Sequence, residues 1–445
     1  MNKQTVVASP LAASPLAISP LDGRYHKYTQ PLSKYFSEFA LFRYRTRIEI
    51  EYFIQLHSIT QHDPLDKTIC SKLRQIYQNF SLENYETIKT YEKTTNHDVK
   101  AVEYFLRDEF KHLGLNNKTH LIHFALTSQD INNTAVPLSV YEYINMLFLP
   151  KIQQVYQSLE SLAEKWKNHV MIGRTHGQPA VPTTMGKEFK VFSYRLMKQL
   201  AQLTKLKLFA KFGGATGNFN AHVYAYPDLT DWRLFADKFV KSLGLNRSQF
   251  TTQIDNYDSI SELFDLVKRQ NVILIDLCRD IWLYISQEYL IQRKIKGEIG
   301  SSTMPHKVNP INFENAEGNL GLANCLLEFC SRELPISRLQ RDLCDSTISR
   351  NFGSIFGYIH IALDNILKGL DKLSVNSKQL DMDLKKHQIV VTEGLQTKMR
   401  KEGQENGYEL IKSKIDDGSI GEMLDTLDPK EYIGYANDFY TINKN

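Results

Sequence analysis

The chain has 445 residues, 42% hydrophobic and 23% charged, with 54 basic against 50 acidic side chains and a net charge of +4. That length accommodates two or three domains with well-buried cores. So nearly balanced a charge excludes the basic stripe of a dedicated nucleic-acid binder, yet leaves room for a local cationic pocket.

From the N-terminus, Ser-Pro-Leu occurs three times within residues 9–21. Pro10, Pro15 and Pro20 interrupt any apolar helix, so an extended tail is expected rather than a signal peptide. Residues 33–58 run without Gly or Pro, with Phe36, Phe39, Ala40, Phe42, Ile48 and Ile50 among polar residues. That pattern predicts a helix, as do 98–112, 129–147 and 150–168. Pro150 opens the last of these, where a proline is tolerated. His120 and His123 stand at i, i+3 without a carboxylate at metal-ligand spacing, so a structural role is expected and no metal.

Further along, 187–212 and 257–296 are also free of Gly and Pro. In the second, Ile260, Leu263, Phe264, Val267, Leu274, Cys278, Ile281 and Ile285 follow helical spacing, and a helix of that length would span roughly 60 Å. Val272, Ile273 and Ile275 lie on another face, so more than one face must be covered, by other chains or within a single-chain bundle. GGATGN (213–218) lacks the Lys-Ser/Thr ending of a phosphate-binding loop and reads as a turn ending the 187–212 helix. Strand signals are weak. The fold class is mainly α, with boundaries near 112–126 and 370–378 that divide the chain into 1–115, 116–370 and 371–445.

The five cysteines, Cys70, Cys278, Cys325, Cys330 and Cys344, are odd in number and form no C-x-x-C pair. That usage fits a reducing cytoplasm. No apolar run reaches membrane-spanning length, so no membrane association is expected.

The segment with the most chemistry is GEIGSSTMPHKVNPINFEN (297–315). Its glycines and prolines make a loop rich in free backbone N–H groups. Lys307 and Asn309 add a cation and an amide. A helix starting near 309–311 turns its positive end toward the loop, so the ensemble suits a carboxylate or an enolate-like dianion.

GSSTMPHKVNP in this loop resembles the signature of the fumarase/aspartase superfamily. ALTSQDINN (125–133) and GRTHGQPAVPTTMGKE (173–188) resemble its two other active-site regions. The resemblance runs in order from SPLDGRY (19–25) to YIGYAND (432–438). KTTNHDVKAVEYF (93–105), TTQIDNYD (251–258) and RDLCDSTISRN (341–351) are similar to the adenylosuccinate lyase family within it. The resemblance implies a three-domain fold built on a long central helical bundle. It also implies a homotetramer whose active sites are shared between subunits.

The implied reaction is a carbon–nitrogen β-elimination that releases fumarate from succinylated purine nucleotides, with no cofactor. Ser301 would be the base and His176 the acid. Ser302, Thr127 and Ser128 would bind the succinyl carboxylates. Lys307, Val308 and Asn309 would hold the charge that develops, and Gln253 and Asn315 would position the substrate. His97, with Asn96 and Asp98 beside it, would contact the substrate or orient a residue that does. Arg24, Tyr25, Arg341, Ser346, Thr347 and Arg350 would receive a phosphate, which the planar arginine fork suits. The alternative is another fumarate-releasing lyase, such as argininosuccinate lyase, which handles a guanidino amino acid instead of a nucleotide.

Overall fold

The computed structural model describes residues 16–60, 65–294, 297 and 303–438. The fold is mainly α. Among the described residues, the short strands pair into three two-stranded sheets.

Local chemistry sets where the helices begin. The expected 33–58 helix divides at Ser37, whose extended backbone (φ −75°, ψ 162°) ends a single turn, Ser33–Phe36. The Ser37 hydroxyl then accepts the Ala40 N–H at 3.0 Å and opens Glu38–Thr60. That cap satisfies one of the N–H groups a helix start leaves unpaired. Asp98–His112 agrees with the sequence reading to the residue. His97 caps it, its Nδ1 accepting the Lys100 N–H at 3.1 Å.

Ser128–Tyr143 carries Pro137 in its interior and runs through a π-helical turn, Ile144–Phe148, into Leu149–Lys165. A proline offers no N–H to the carbonyl four residues back. The carbonyl affected here is that of Asn133, and it accepts the Lys211 N–H at 3.3 Å instead. A gap in one helix thus fastens the segment around Lys211 to it.

Two sequence expectations are too long. The helix expected over 187–212 is Met185–Leu203, and the chain then enters a short strand, Phe209–Ala210, parallel to Asn246–Arg247. The helix closes in tight i to i+3 turns at Lys205 and Leu206 that no Gly or Pro announces. GGATGN therefore follows a strand and not that helix. The helix expected over 257–296 is Asp258–Ser286, with 29 residues, or about 44 Å at 1.5 Å per residue. Glu288 takes φ 60°, and Leu290–Gln292 then pairs antiparallel with Leu373–Val375.

The chain forms two compact units. The first comprises Met1–Pro150, Gln202–Asn271 and Asn319–Ile361. Its core holds an aromatic group in which Phe356 stacks on Phe36 and Phe264 meets Phe352 edge-on at 4.9 Å. A second group joins Tyr52, Phe212 and Phe239. Fully buried phenyl rings such as Phe264, Phe356 and Phe239 contribute ~1.5–3 kcal/mol each through burial.

The second unit comprises Lys151–Ala201, Val272–Gly318 and Ala362–Asn445. Ile172, Leu384, Val391, Leu395, Ile411 and Ile420 form one of its cores. An antiparallel hairpin, Val170–Thr175 with Gln178–Thr184, lies beside this core.

In the 213–218 loop of the first unit, Gly214 and Gly217 have φ of 79° and 82°. A Cβ on Gly217 would stand 2.4 Å from the Thr251 carbonyl oxygen. Gly217→Ala meets both the left-handed penalty and the clash, and is expected to destabilise the fold by about 2–3 kcal/mol. A thermal melt checks this, and an unchanged melting temperature would contradict the close approach.

Candidate active site

A cavity of about 350 Å³ in the first unit is lined by Asn96, His97, Asp98, Ser128, Arg341, Ser346 and Arg350, together with residues the sequence reading did not name. Three separate stretches of chain thus meet at one cavity. Asn96 ends the Leu82–Thr95 helix in the left-handed conformation (φ 49°, ψ 35°), which Asn tolerates better than most residues. The chain turns there, and His97 starts the next helix. Because its Nδ1 accepts a backbone N–H, the neutral His97 ring carries its proton on Nε2 and is a donor at that atom. Ser128 is the first residue of its helix, and Ser346 lies in the short helix Cys344–Ser349.

Three guanidinium groups border this cavity: Arg45, Arg341 and Arg350. Arg45 is 4% exposed. It donates from Nη2 to Asp98 Oδ2 at 2.7 Å and from Nε to Asn132 Oδ1 at 2.8 Å. Burial pushes the Asp98 carboxyl up, but Arg45 more than offsets this and holds it below the usual carboxylate range. Arg350 is largely exposed, its Nη2 3.9 Å from Asp98 Oδ2. Arg341 is held by two amides. Its Nη1 donates to Gln253 Oε1 at 3.2 Å. With the Gln129 amide turned to satisfy both partners, Gln129 Oε1 accepts from Arg341 Nη2 at 2.5 Å.

The wall behind is a buried network. Asn133 Nδ2 donates to the Tyr257 hydroxyl at 2.6 Å, and that hydroxyl donates to Asp345 Oδ2 at 2.9 Å.

Sequence reasoning missed Arg45, Asn132, Gln129, Tyr257 and Asp345. The last four fall inside motifs already quoted, so their neighbours were a usable signal. Arg45 lies among three arginines of one helix, and only its burial distinguishes it.

Other expected residues fall elsewhere. Thr127 flanks Ser128, its N–H bound to Asp130 Oδ2 at 2.8 Å. Gln253 reaches the site through Arg341. Thr347 is exposed on the Cys344–Ser349 helix. Arg24 and Tyr25 do not line the cavity. Their neighbours Asp22 and His26 line an adjoining cleft of about 230 Å³, which also includes Arg350.

His176, Lys307, Val308, Asn309 and Asn315 belong to the second unit. His176 sits at the tip of the hairpin, exposed, with Gly177 as the other residue of a two-residue turn. Their φ values are 52° and 74°, the requirement of a type I′ turn. Arg174 fastens this hairpin through its Nη2 to Asp383 Oδ2 at 2.6 Å. Lys307 is exposed, and the Val308 carbonyl accepts from Gln292 Nε2 at 3.3 Å. Asn309 precedes the helix Ile311–Glu333. Asn315 Oδ1 accepts from Asn365 Nδ2 at 2.9 Å. Ser301 and Ser302 lie outside the described residues.

Among the described residues, no group of three or more His, Cys, Asp or Glu side chains is arranged to hold a metal ion. His120 is exposed, whereas His123 Nδ1 lies 2.5 Å from buried Glu49 Oε1. Among the described residues, no helix is long and apolar enough to cross a membrane.

Residues 23–323 match the Lyase family, and residues 337–433 match the adenylosuccinate lyase C-terminal family. The adenylosuccinate lyase of Dictyostelium discoideum is 48% identical, over 94% of this chain and 96% of that one. The adenylosuccinate lyase of Escherichia coli is 44% identical, over 93% and 90%. Among solved structures, a fumarate lyase from Mesorhizobium superposes with a TM-score of 0.73 at 18% identity, covering 92% of this chain and 95% of that one. The 3-carboxy-cis,cis-muconate lactonizing enzyme of Pseudomonas putida gives 0.74 at 18% identity, covering 92% and 94%. At such identities the two structures establish the fold alone. With nearly half its residues identical to full-length relatives and both family regions matched in order, the chain belongs to the adenylosuccinate lyase family.

Proposed function

We propose that the chain eliminates fumarate from adenylosuccinate, giving AMP, and from succinylaminoimidazole carboxamide ribotide, giving aminoimidazole carboxamide ribotide, in purine biosynthesis. The observation that carries this reading is the convergence of Arg341, Arg350, Ser346 and His97 on one cavity. Donors of this kind suit a phosphate, which a fumarate-releasing lyase acting on a free amino acid has no need to hold.

In the reaction, a base removes the proton beside one succinyl carboxylate, and the carbon–nitrogen bond then breaks. The charge moves into that carboxylate as a dianionic aci-form, and preorganised donors stabilise it best. Lys307, Asn309 and the N–H groups of the 297–310 loop are read as those donors. Ser301 is read as the base, and His176 as the acid that protonates the departing nitrogen. Thr127, Ser128 and Ser302 take the carboxylates.

The enzyme works as a cytoplasmic homotetramer with shared sites. Free cysteines support the compartment. Exposed Val272, Trp282 and Leu283 on one long helix and Leu322 and Phe329 on another support the assembly, since large apolar side chains left uncovered on long helices favour a partner.

Following fumarate release by absorbance, with each nucleotide supplied to the purified protein, tests the activity. Release from neither would overturn the reading, and release from argininosuccinate alone would favour the other lyase. Arg350→Ala is expected to raise KM by roughly 10–100-fold, the loss of a charged hydrogen bond, with a smaller effect on kcat because phosphate is remote from the breaking bond. An unchanged KM would move the phosphate elsewhere.

A further inference from the structure

Asp130 and Lys211 are both fully buried, and their ion pair is 2.7 Å long. No step of the elimination uses either. Asp130 accepts the Thr127 N–H on Oδ2 at 2.8 Å. It accepts the Gly213 N–H on Oδ1 at 2.8 Å, and the Gly214 N–H on both oxygens at 3.1 Å. Lys211 Nζ adds a bond to the Gly214 carbonyl at 2.5 Å. From Gly214 the chain passes to Ala215, whose carbonyl accepts from Gln253 Nε2 at 3.1 Å. Gln253 Oε1 accepts from Arg341, and Arg341 donates to Gln129, the residue before Asp130. The contacts close into a ring.

We infer that Asp130, neutralised by Lys211, is a positioning residue that sets Arg341 in the cavity by pinning the 213–215 turn against the start of the Ser128–Tyr143 helix. The inference rests on the reading of Arg341 as a phosphate anchor. Several physical points support it. A buried carboxylate is costly unless paired and saturated with hydrogen bonds, and this one has both its oxygens occupied. A guanidinium binds phosphate well only when its fork is already aimed. Of the contacts that hold the Arg341 side chain, those to Gln253 and Gln129 trace back to Asp130, one through the turn and one along the chain, while Nε donates to the carbonyl of the next residue, Asp342, at 3.3 Å. Asn in place of Asp130 has a single acceptor oxygen, so its amide NH₂ would face either the glycine N–H groups or Thr127. The ring would then open.

The test measures binding of AMP and of adenosine to the full-length protein by calorimetry, alongside a thermal melt. Asp130→Asn is expected to weaken AMP about tenfold while leaving adenosine within about twofold, the first equal to ~1.4 kcal/mol. The double variant Asp130→Asn/Lys211→Met removes the unpaired ammonium. It opens the ring equally and serves should the single variant fail to fold. Arg341→Ala is the reference. If it weakens AMP selectively while the Asp130 variants bind both ligands as the parent does, or lose both in equal measure, the positioning role is overturned and the anchor stands. If Arg341→Ala itself leaves AMP unchanged, the anchor reading fails and the inference falls with it. A purely structural role would lower the melting temperature without separating AMP from adenosine.

Discussion

Replacing His176 with Asn is expected to leave the fold intact and to lower kcat by roughly 10²–10⁴-fold, the usual weight of a positioned general acid. The choice of Asn follows from the turn. His176 has φ 52°, and the left-handed region costs most residues roughly 1–2 kcal/mol but Asn less. The Thr175–Gln178 pairing and the Arg174–Asp383 contact, which hold the hairpin on either side, are untouched. Asn cannot exchange a proton at neutral pH, so the departing nitrogen leaves as a poor anion. Substrate binding should change little, because the proton moves only in the transition state. His176→Ala is the less clean variant, since it adds backbone strain to the chemical loss. Steady-state kinetics and a thermal melt on both variants check this. A kcat for His176→Asn near the parent's would remove His176 from the acid role.

That turn also marks where sequence reasoning stops. Arg-Thr-His-Gly-Gln-Pro was legible as a polar turn, because Gly and Pro punctuate it. The hairpin was not, because neither strand alternates cleanly and each flanks only two turn residues. Helix starts were the most legible feature: Asp98–His112 begins where expected, with His97 as its cap. Helix ends were poorly legible. Leu203 and Ser286 finish helices without a Gly or Pro, in tight turns that lead into strands paired far along the chain.

The same distinction holds in the cavity. Asn96, His97, Asp98, Ser128, Arg341, Ser346 and Arg350 stand in segments with recognisable residue patterns. Arg45 does not, because its role depends on Asp98, 53 residues away, and no local pattern reports a buried charge. The pairing of Asp130 with Lys211 is alike in this, although Asp130 itself lies in the quoted 125–133 segment. Each is an ordinary charged residue until the fold places one against the other.

Two inactive variants should restore each other. If His176 and Ser301 reach one site from different chains, unfolding His176→Asn together with Ser301→Ala and reassembling them yields some sites with both residues intact. Under random mixing of equal amounts in a closed symmetric tetramer, roughly one quarter of sites are complete, so activity should approach one quarter of the parental value. The exposed Val272, Trp282 and Leu283 of the Asp258–Ser286 helix make such an assembly the expected state, because a helix apolar on more than one face needs more than one cover. Sites contained within one chain would behave differently, since every chain carries one lesion and no mixture could repair it. Differently tagged chains establish whether mixed tetramers form. Co-purification of the tags with activity no higher than that of either variant alone would rule out shared sites and confine His176 and Ser301 to a single chain.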